Sequence, residues 1–191
     1  MRHWVSRRSI RKTSLTKYIF VTGAPGSRWS GYVEDHIYTR DDIDTTDRSP
    51  EREYWVGRDG DKNLMHRGAY FDPLMEFRND EKLWDKPFSG EGIRVIKSHT
   101  FAYQLNWLKR FECPIHIVYR NNNECFKWWH QAGGWNITYP SYKWYRDDDN
   151  LAEQIQIQNL LIQEFVEEEG LEKHNDGKRD YYIWLPTTEN G

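Results

Sequence analysis

Three short stretches of this 191-residue chain carry residues suited to holding and attacking a charged group. The first is Thr22-Gly-Ala-Pro-Gly-Ser-Arg-Trp-Ser30. Gly23 and Gly26 let the backbone turn tightly, so that its N–H groups can surround an oxyanion. A helix opening behind such a loop adds partial positive charge. Ser27 and Ser30 contribute hydroxyls, and Arg28 a permanent cation. No lysine lies between positions 18 and 61, so the loop lacks the residue that a Walker A sequence requires. The second stretch is Lys97-Ser98-His99. Lysine offers a point charge to a phosphate or sulfate oxygen, and histidine can abstract a proton near neutral pH. The third is Arg120-Asn121, where the guanidinium could hold a phosphate through two parallel hydrogen bonds. Taken singly, each has an ordinary explanation: a strand-to-helix turn, a surface lysine beside a helix-start histidine, and a structural ion pair.

The elements around these stretches put them at equivalent places. Tyr18–Thr22 is a short β-branched and aromatic run that reads as a buried strand ending in the glycine loop. A helix from the loop to about Tyr38 should follow. Ile93–Lys97 is a second strand, with helical spacing over His99–Phe111 behind it. Ile115–Tyr119 is a third strand. Asn121 with Glu124 three residues on forms a capping box that opens a helix to about Gln131. Asn150 to about Glu169 carries the longest helix pattern, closed by Gly170, and Tyr181–Leu185 is a final strand. Strands alternating with helices imply an α/β fold: a three-layer arrangement with a parallel sheet flanked by helices. Ligands of such sheets sit beyond the carboxyl ends of the strands, where all three stretches fall. Residues 39–80, rich in charge and poor in periodicity, read as a long irregular insertion with a lid or substrate-loop role. Residues 135–148 read as an aromatic loop.

Composition bounds the function. Residues 18–191 read as one domain, and residues 1–17, with six Lys/Arg and no acid, as a basic tail. The tail lacks the apolar core of a secretory signal, and although its makeup resembles a transit peptide, it runs straight into the first strand. Cytoplasmic residence is the default expectation. No apolar run approaches the ~20 residues that span a bilayer, which argues against a membrane protein. A net charge of −3 argues against a general nucleic-acid binder. Cys113 and Cys125 are the only cysteines, and no histidine stands at ligand spacing from them, so no metal site is expected. His116 reads as core. Trp128, Trp129 and Trp135 read as packing, with lining of an apolar or sugar-binding acceptor site as the alternative.

In combination, a phosphate loop without lysine, then K-x-H, then R-N on successive strand ends resembles the PAPS-dependent sulfotransferase family. Pro25-Gly-Ser-Arg-Trp29 is similar to that family's phosphosulfate loop, Lys97-Ser98-His99 to its K-T-H segment, and Arg120-Asn121-Asn122 to its R-N-P strand end. The resemblance covers residues 18–38 and 93–132. It implies a P-loop NTPase-like sulfotransferase architecture, with 3'-phosphoadenosine 5'-phosphosulfate (PAPS) as co-substrate and a small-molecule or carbohydrate acceptor. Gly23, Gly26, Ser27, Arg28 and Ser30 would surround the 5'-phosphosulfate, and Trp29 would stack on the adenine. Lys97 would touch the bridging or sulfuryl oxygens, His99 would be the base that activates the acceptor, and Arg120 would hold the 3'-phosphate. The family's loop lysine falls near Ala24, so Arg28 would supply its charge. The family serine that shares the 3'-phosphate falls near Trp128, with Lys127 as the substitute, and Gly177-Lys178-Arg179 loosely resembles its late basic loop. The acceptor pocket would come from 39–80 and 133–150. A nucleoside or nucleotide kinase with a degenerate loop, and a non-catalytic nucleotide-binding protein, are the alternatives.

Overall fold

The computed structural model describes residues 16–47, 54–58, 61–66, 80–139 and 145–187. Most of the basic tail, the Phe71-Asp-Pro73 turn and residues 140–144 of the aromatic loop lie outside them. The main sheet has six strands, in the order β2 (Ile43–Asp44), β5 (Ile93–Lys97), β1 (Tyr18–Gly23), β6 (Ile115–Tyr119), β9 (Asp180–Trp184) and β8 (His174–Asn175). Its centre is β1 (Tyr18–Gly23), paired in parallel with β5 (Ile93–Lys97) on one side and β6 (Ile115–Tyr119) on the other. The three strands expected to carry chemistry are therefore neighbours. Alternation along β1 sends Phe20 to one face and Ile19 and Val21 to the other, and each face is covered. Phe20 packs in a core with Ile96, Ile115, Ile117, Phe101 and Leu108, to which α4 (Asp148–Glu168) adds Ile162 and Phe165. Ile19, Val21, Val95 and Val118 pack against Trp29, Tyr32, Val33 and Ile37 on the other face.

The helices are more broken than the sequence suggests. The helix after the loop is one α-turn, α1 (Trp29–Tyr32), running into a π-turn over Val33–Ile37. The His99–Phe111 stretch splits into a 3-10 turn, the short α2 (Leu105–Leu108) and a second 3-10 turn. By contrast α3 (Asn122–Gln131) opens as expected, with the Asn121 carboxamide oxygen accepting from the Glu124 N–H at 2.9 Å. The last helix starts two residues earlier than its apolar pattern implies. Asp147 accepts from the Asn150 N–H at 2.9 Å and so fixes the boundary.

Two expectations about the sheet need correction. First, it is mixed, because β9 (Asp180–Trp184) lies antiparallel to β6. The reason is where α4 ends. Glu169 bonds Lys109 and the Trp184 indole, and Trp184 lies opposite Ile115, the first residue of β6. The chain therefore leaves α4 at the sheet's amino edge. It rises as β8 (His174–Asn175), turns over Asp176–Arg179 and descends as β9. That turn reaches the end of the sheet where the glycine loop lies. Second, the 39–80 insertion is not irregular throughout. Ile43–Asp44 forms β2 on the edge of the main sheet. Its hairpin of β3 (Tyr54–Arg58) and β4 (Asp61–His66) pairs with β7 (Ile137–Tyr139), building a second, three-stranded sheet. The two segments expected to form an acceptor pocket are thus joined by main-chain hydrogen bonds. Among the described residues no helix is long and apolar enough to cross a membrane.

Trp84 ties the end of the insertion to the core. Its ring meets those of Phe20, Phe111, Phe101 and Trp107 at centroid distances of 5.1, 4.9, 6.1 and 6.1 Å. Its buried indole nitrogen has no partner among the described residues, so its contribution is read as packing. Trp84→Ala is expected to destabilise the fold by roughly 3–5 kcal/mol, and Trp84→Phe by far less. Urea unfolding measures both; equal losses would show that the indole, not aromatic volume, matters.

Candidate functional site

The loop is shaped by contacts with the two flanking strands. The Thr22 hydroxyl donates to the Ser98 carbonyl at 2.7 Å, fixing the end of β1 to the end of β5. The Ser27 N–H closes a turn on the Ala24 carbonyl at 2.9 Å. Gly26 lies at φ +78°, and a Cβ there would come 1.9 Å from the Cys125 carbonyl oxygen on α3. No other residue fits. A Cβ at Gly23 would meet the Ser27 hydroxyl and the Val118 carbonyl at 2.4 and 2.6 Å. Arg28 also adopts a left-handed conformation, φ +68°, although it is not glycine. Left-handed residues alternating with right-handed ones turn successive amides toward one side, the geometry of an anion-binding nest. The Ser27 hydroxyl is buried there without a partner among the described residues.

Cations gather around this loop. Arg28 stacks on the Trp128 ring at 4.1 Å. Its pKa is lowered by partial burial and by the charges of Arg179 and Arg120, so three guanidiniums share one region. Arg120 donates one N–H to Glu124 at 2.6 Å, while its Nε and Nη1 are buried and have no partner among the described residues. Arg179 is not in the same situation. Its guanidinium bonds Asp176, Asp35 and the Arg28 carbonyl at 2.8, 2.5 and 2.9 Å. Burial opposes ionisation of Asp176, yet hydrogen bonds from His36, the Lys178 N–H and Arg179 hold its carboxyl far below the usual range. The segment expected to resemble a late basic loop therefore braces the glycine loop through Arg179. Lys127 is exposed on α3, and Ser30 is half-buried in α1.

Lys97 and His99 reach the same end of the sheet but are enclosed. The Lys97 ammonium contacts the Tyr38 hydroxyl at 2.5 Å and the Asp47 carboxylate at 3.1 Å. Both members of that ion pair are buried, each side chain 2% exposed. His99 bonds the Gly23 carbonyl through Nδ1 at 2.7 Å. A carbonyl only accepts, so the proton sits on Nδ1 and Nε2 carries the lone pair. Burial pushes the His99 pKa down to about 4, against the opposing effect of that bond, so the ring is neutral near pH 7. The Trp29 and Tyr145 rings flank it edge-on at 5.2 and 6.4 Å. Trp29 itself is 3% exposed and belongs to the core. Its expected stacking on an adenine is corrected accordingly, because both indole faces are covered by protein. Trp128, half-buried under Arg28, is the aromatic beside the loop.

Beside Arg120 a groove of about 580 Å³ opens between α3 and α4, lined by Tyr119, Asn121, Asn122 and Asn159 among others. The Asn159 amide donates to the Arg120 carbonyl at 2.8 Å, so the groove floor and the guanidinium's backbone are linked. Cys125 adds no nucleophile, since burial pushes its thiol up to about 12. Sequence reasoning missed Asp47, Tyr38, Asp35 and Asp176 as partners of the site cations. The dense acids between Glu34 and Glu51 were the available signal for two of them.

His116, buried with Nδ1 on the Tyr32 hydroxyl at 2.7 Å, is also pushed down to about 4, by burial first and then by Arg40 and His36. Between pH 6.5 and about 4 the unfolded chain therefore takes up protons that these two histidines refuse in the fold. Stability is expected to fall as pH drops through that window, each histidine accounting for on the order of 3 kcal/mol at most. His99→Asn keeps a donor for the Gly23 carbonyl and removes one titration. Its urea midpoint should drop less than wild type between pH 7 and pH 4.5, and an equal drop would contradict the assignment.

No family model, no curated protein and no solved structure matches the chain.

Proposed function

We propose that this protein is a sulfotransferase of P-loop-like architecture, moving a sulfuryl group from PAPS to an acceptor hydroxyl or amine. The observation that carries the reading is the adjacency of β5, β1 and β6, which brings the K-S-H, glycine-loop and R-N strand ends side by side. The residues present fit a doubly anionic nucleotide. The loop amides, the Ser27 hydroxyl and Arg28 suit the 5'-phosphosulfate. Arg120 Nε and Nη1, without a partner among the described residues, suit a 3'-phosphate, and the amide-lined groove beside it suits neutral hydroxyls.

In the reaction the acceptor oxygen or nitrogen forms a bond to sulfur as the bond from sulfur to the bridging phosphate oxygen breaks. The acceptor proton passes to His99 Nε2, and adenosine 3',5'-bisphosphate (PAP) leaves. His99 acts from its neutral form, with Nδ1 anchored on the Gly23 carbonyl so that Nε2 keeps one direction. The Trp29 and Tyr145 rings flank it edge-on, so an acceptor would have to displace one of them to reach Nε2. Lys97 exchanges its Asp47 partner for a sulfuryl oxygen, where positive charge offsets what develops on the transferred group. Catalysis on this scheme is positioning and electrostatics, as in phosphoryl transfer. The enclosure of Lys97 and His99 favours a second reading, a nucleotide-binding protein without turnover.

PAP is expected to raise the melting temperature and ATP with Mg²⁺ to do so much less. Saturation at ~100 Kd corresponds to about 2.7 kcal/mol of added stability. A shift with ATP-Mg²⁺ and none with PAP would favour a kinase instead. His99→Asn is expected to bind PAP as wild type does and to lower kcat by roughly 10²–10⁴-fold, assayed with labelled PAPS on an acceptor found by screening. Near-wild-type turnover would remove His99 from the chemistry, and binding with no turnover on any acceptor would favour the second reading.

A further inference from the structure

Arg28 occupies a left-handed conformation, φ +68°, that is unfavourable for a residue other than glycine, and something must hold it there. Its carbonyl oxygen accepts from the Tyr32 N–H at 3.1 Å, the first bond of α1, and from Arg179 Nη1 at 2.9 Å. The second donor comes from far along the chain and is itself tightly fixed. The Arg179 side chain is fully buried and is clamped through Nε by Asp176 and through Nη2 by Asp35. Asp176 is held in turn by His36 Nε2 at 3.0 Å and by the N–H groups of Lys178 and Arg179 at 2.9 and 3.0 Å. Space for the guanidinium depends on one residue. A Cβ on Gly31 would lie 2.8 Å from Arg179 Nη1, and Gly31 does not have a positive φ that would otherwise explain a glycine.

We infer that Arg179 is a positioning residue that holds the Arg28 turn in its anion-binding form, and that Gly31 is the clearance that admits it. The inference rests on the proposed anion-binding role of the loop. Being buried, Arg179 acts on a ligand only through Arg28: it fixes the carbonyl, and thereby the direction of the neighbouring amides and of the guanidinium stacked on Trp128. Asp35 and Asp176 neutralise it, so that its own charge does not expel Arg28.

The test is calorimetric titration with PAP and with inorganic pyrophosphate, alongside urea unfolding of every variant. Arg179→Met is expected to weaken binding of both anions about 10-fold or more, since a buried hydrogen bond from a charged group is lost. Arg179→Lys should recover part of that loss, because one ammonium cannot serve three acceptors. Gly31→Ala should weaken binding in the wild-type background but not in Arg179→Lys, whose head does not fill the space. That non-additivity is a signature that general loss of stability does not produce. If Arg179→Met does not fold, Asp35→Asn, at a half-exposed carboxylate, and Gly31→Ala carry the test. Folded variants that bind both anions as wild type does would overturn the inference and leave the sulfotransferase reading standing. A wild-type chain that binds neither anion would overturn both.

Discussion

The close approach of Gly26 to the Cys125 carbonyl is the constraint on which the site depends. It presses the loop after β1 against the first turn of α3, leaving no room for a side chain between them. Because only the capping residue Asn121 separates Arg120 from α3, the same contact helps set the distance between the glycine loop and the residue at the end of β6. Ala24, Cys125, Trp129, Leu151 and Ile155 then pack as one buried cluster, so α4 supports the loop through α3. Thr22 and His99 complete the frame from the side of β5, each by a hydrogen bond to a carbonyl. A loop held this way would meet the proposed anion with its amides already in place, which is what pre-organised electrostatic stabilisation requires.

Charge is sorted within this frame. Arg179 and Lys97 are buried and each has carboxylate partners, Asp35 with Asp176 and Asp47 respectively. Burial of either cation without those partners would cost several kcal/mol. Arg28 has an aromatic face for a partner, and Arg120 shares one of its donors with a largely exposed glutamate. Arg28 and Arg120 stand close enough for Arg120 to lower the Arg28 pKa, and an anion between them would relieve that repulsion. His99, neutral and low in pKa, adds no further positive charge near pH 7.

The parts of this arrangement legible in the sequence are those set by local chemistry. Short β-branched runs gave β1, β5 and β6, and Asn121 with Glu124 gave the start of α3, because capping and strand propensity act over a few residues. The glycine at 26 announced a special backbone, although its partner, a carbonyl ninety-nine positions later in the chain, was not visible. Relations between distant segments were missed for the same reason. The antiparallel β9 depends on where α4 ends against Lys109 and Trp184. The second sheet joins residues 54–66 to 137–139, and no local pattern specifies that pairing. The role of Trp29 as a platform for adenine is implied by the family resemblance alone, and no local pattern separates a ligand-stacking indole from a core one. The packing of Tyr32, Val33 and Ile37 on the same sheet face decides it for the core.

The claim that the ends of β1 and β6 together read a nucleotide with two separated anionic groups is tested most directly at Arg120. The measurement is the affinity of wild type and Arg120→Ala for PAP and for adenosine 5'-phosphosulfate, which lacks the 3'-phosphate. Arg120→Ala is expected to weaken PAP by roughly 1.5–3 kcal/mol and the phosphosulfate by much less, as loss of a charge-assisted contact to one group requires. Equal loss for the two ligands would show that the end of β6 does not read the 3'-phosphate, and would contradict the assignment of the site.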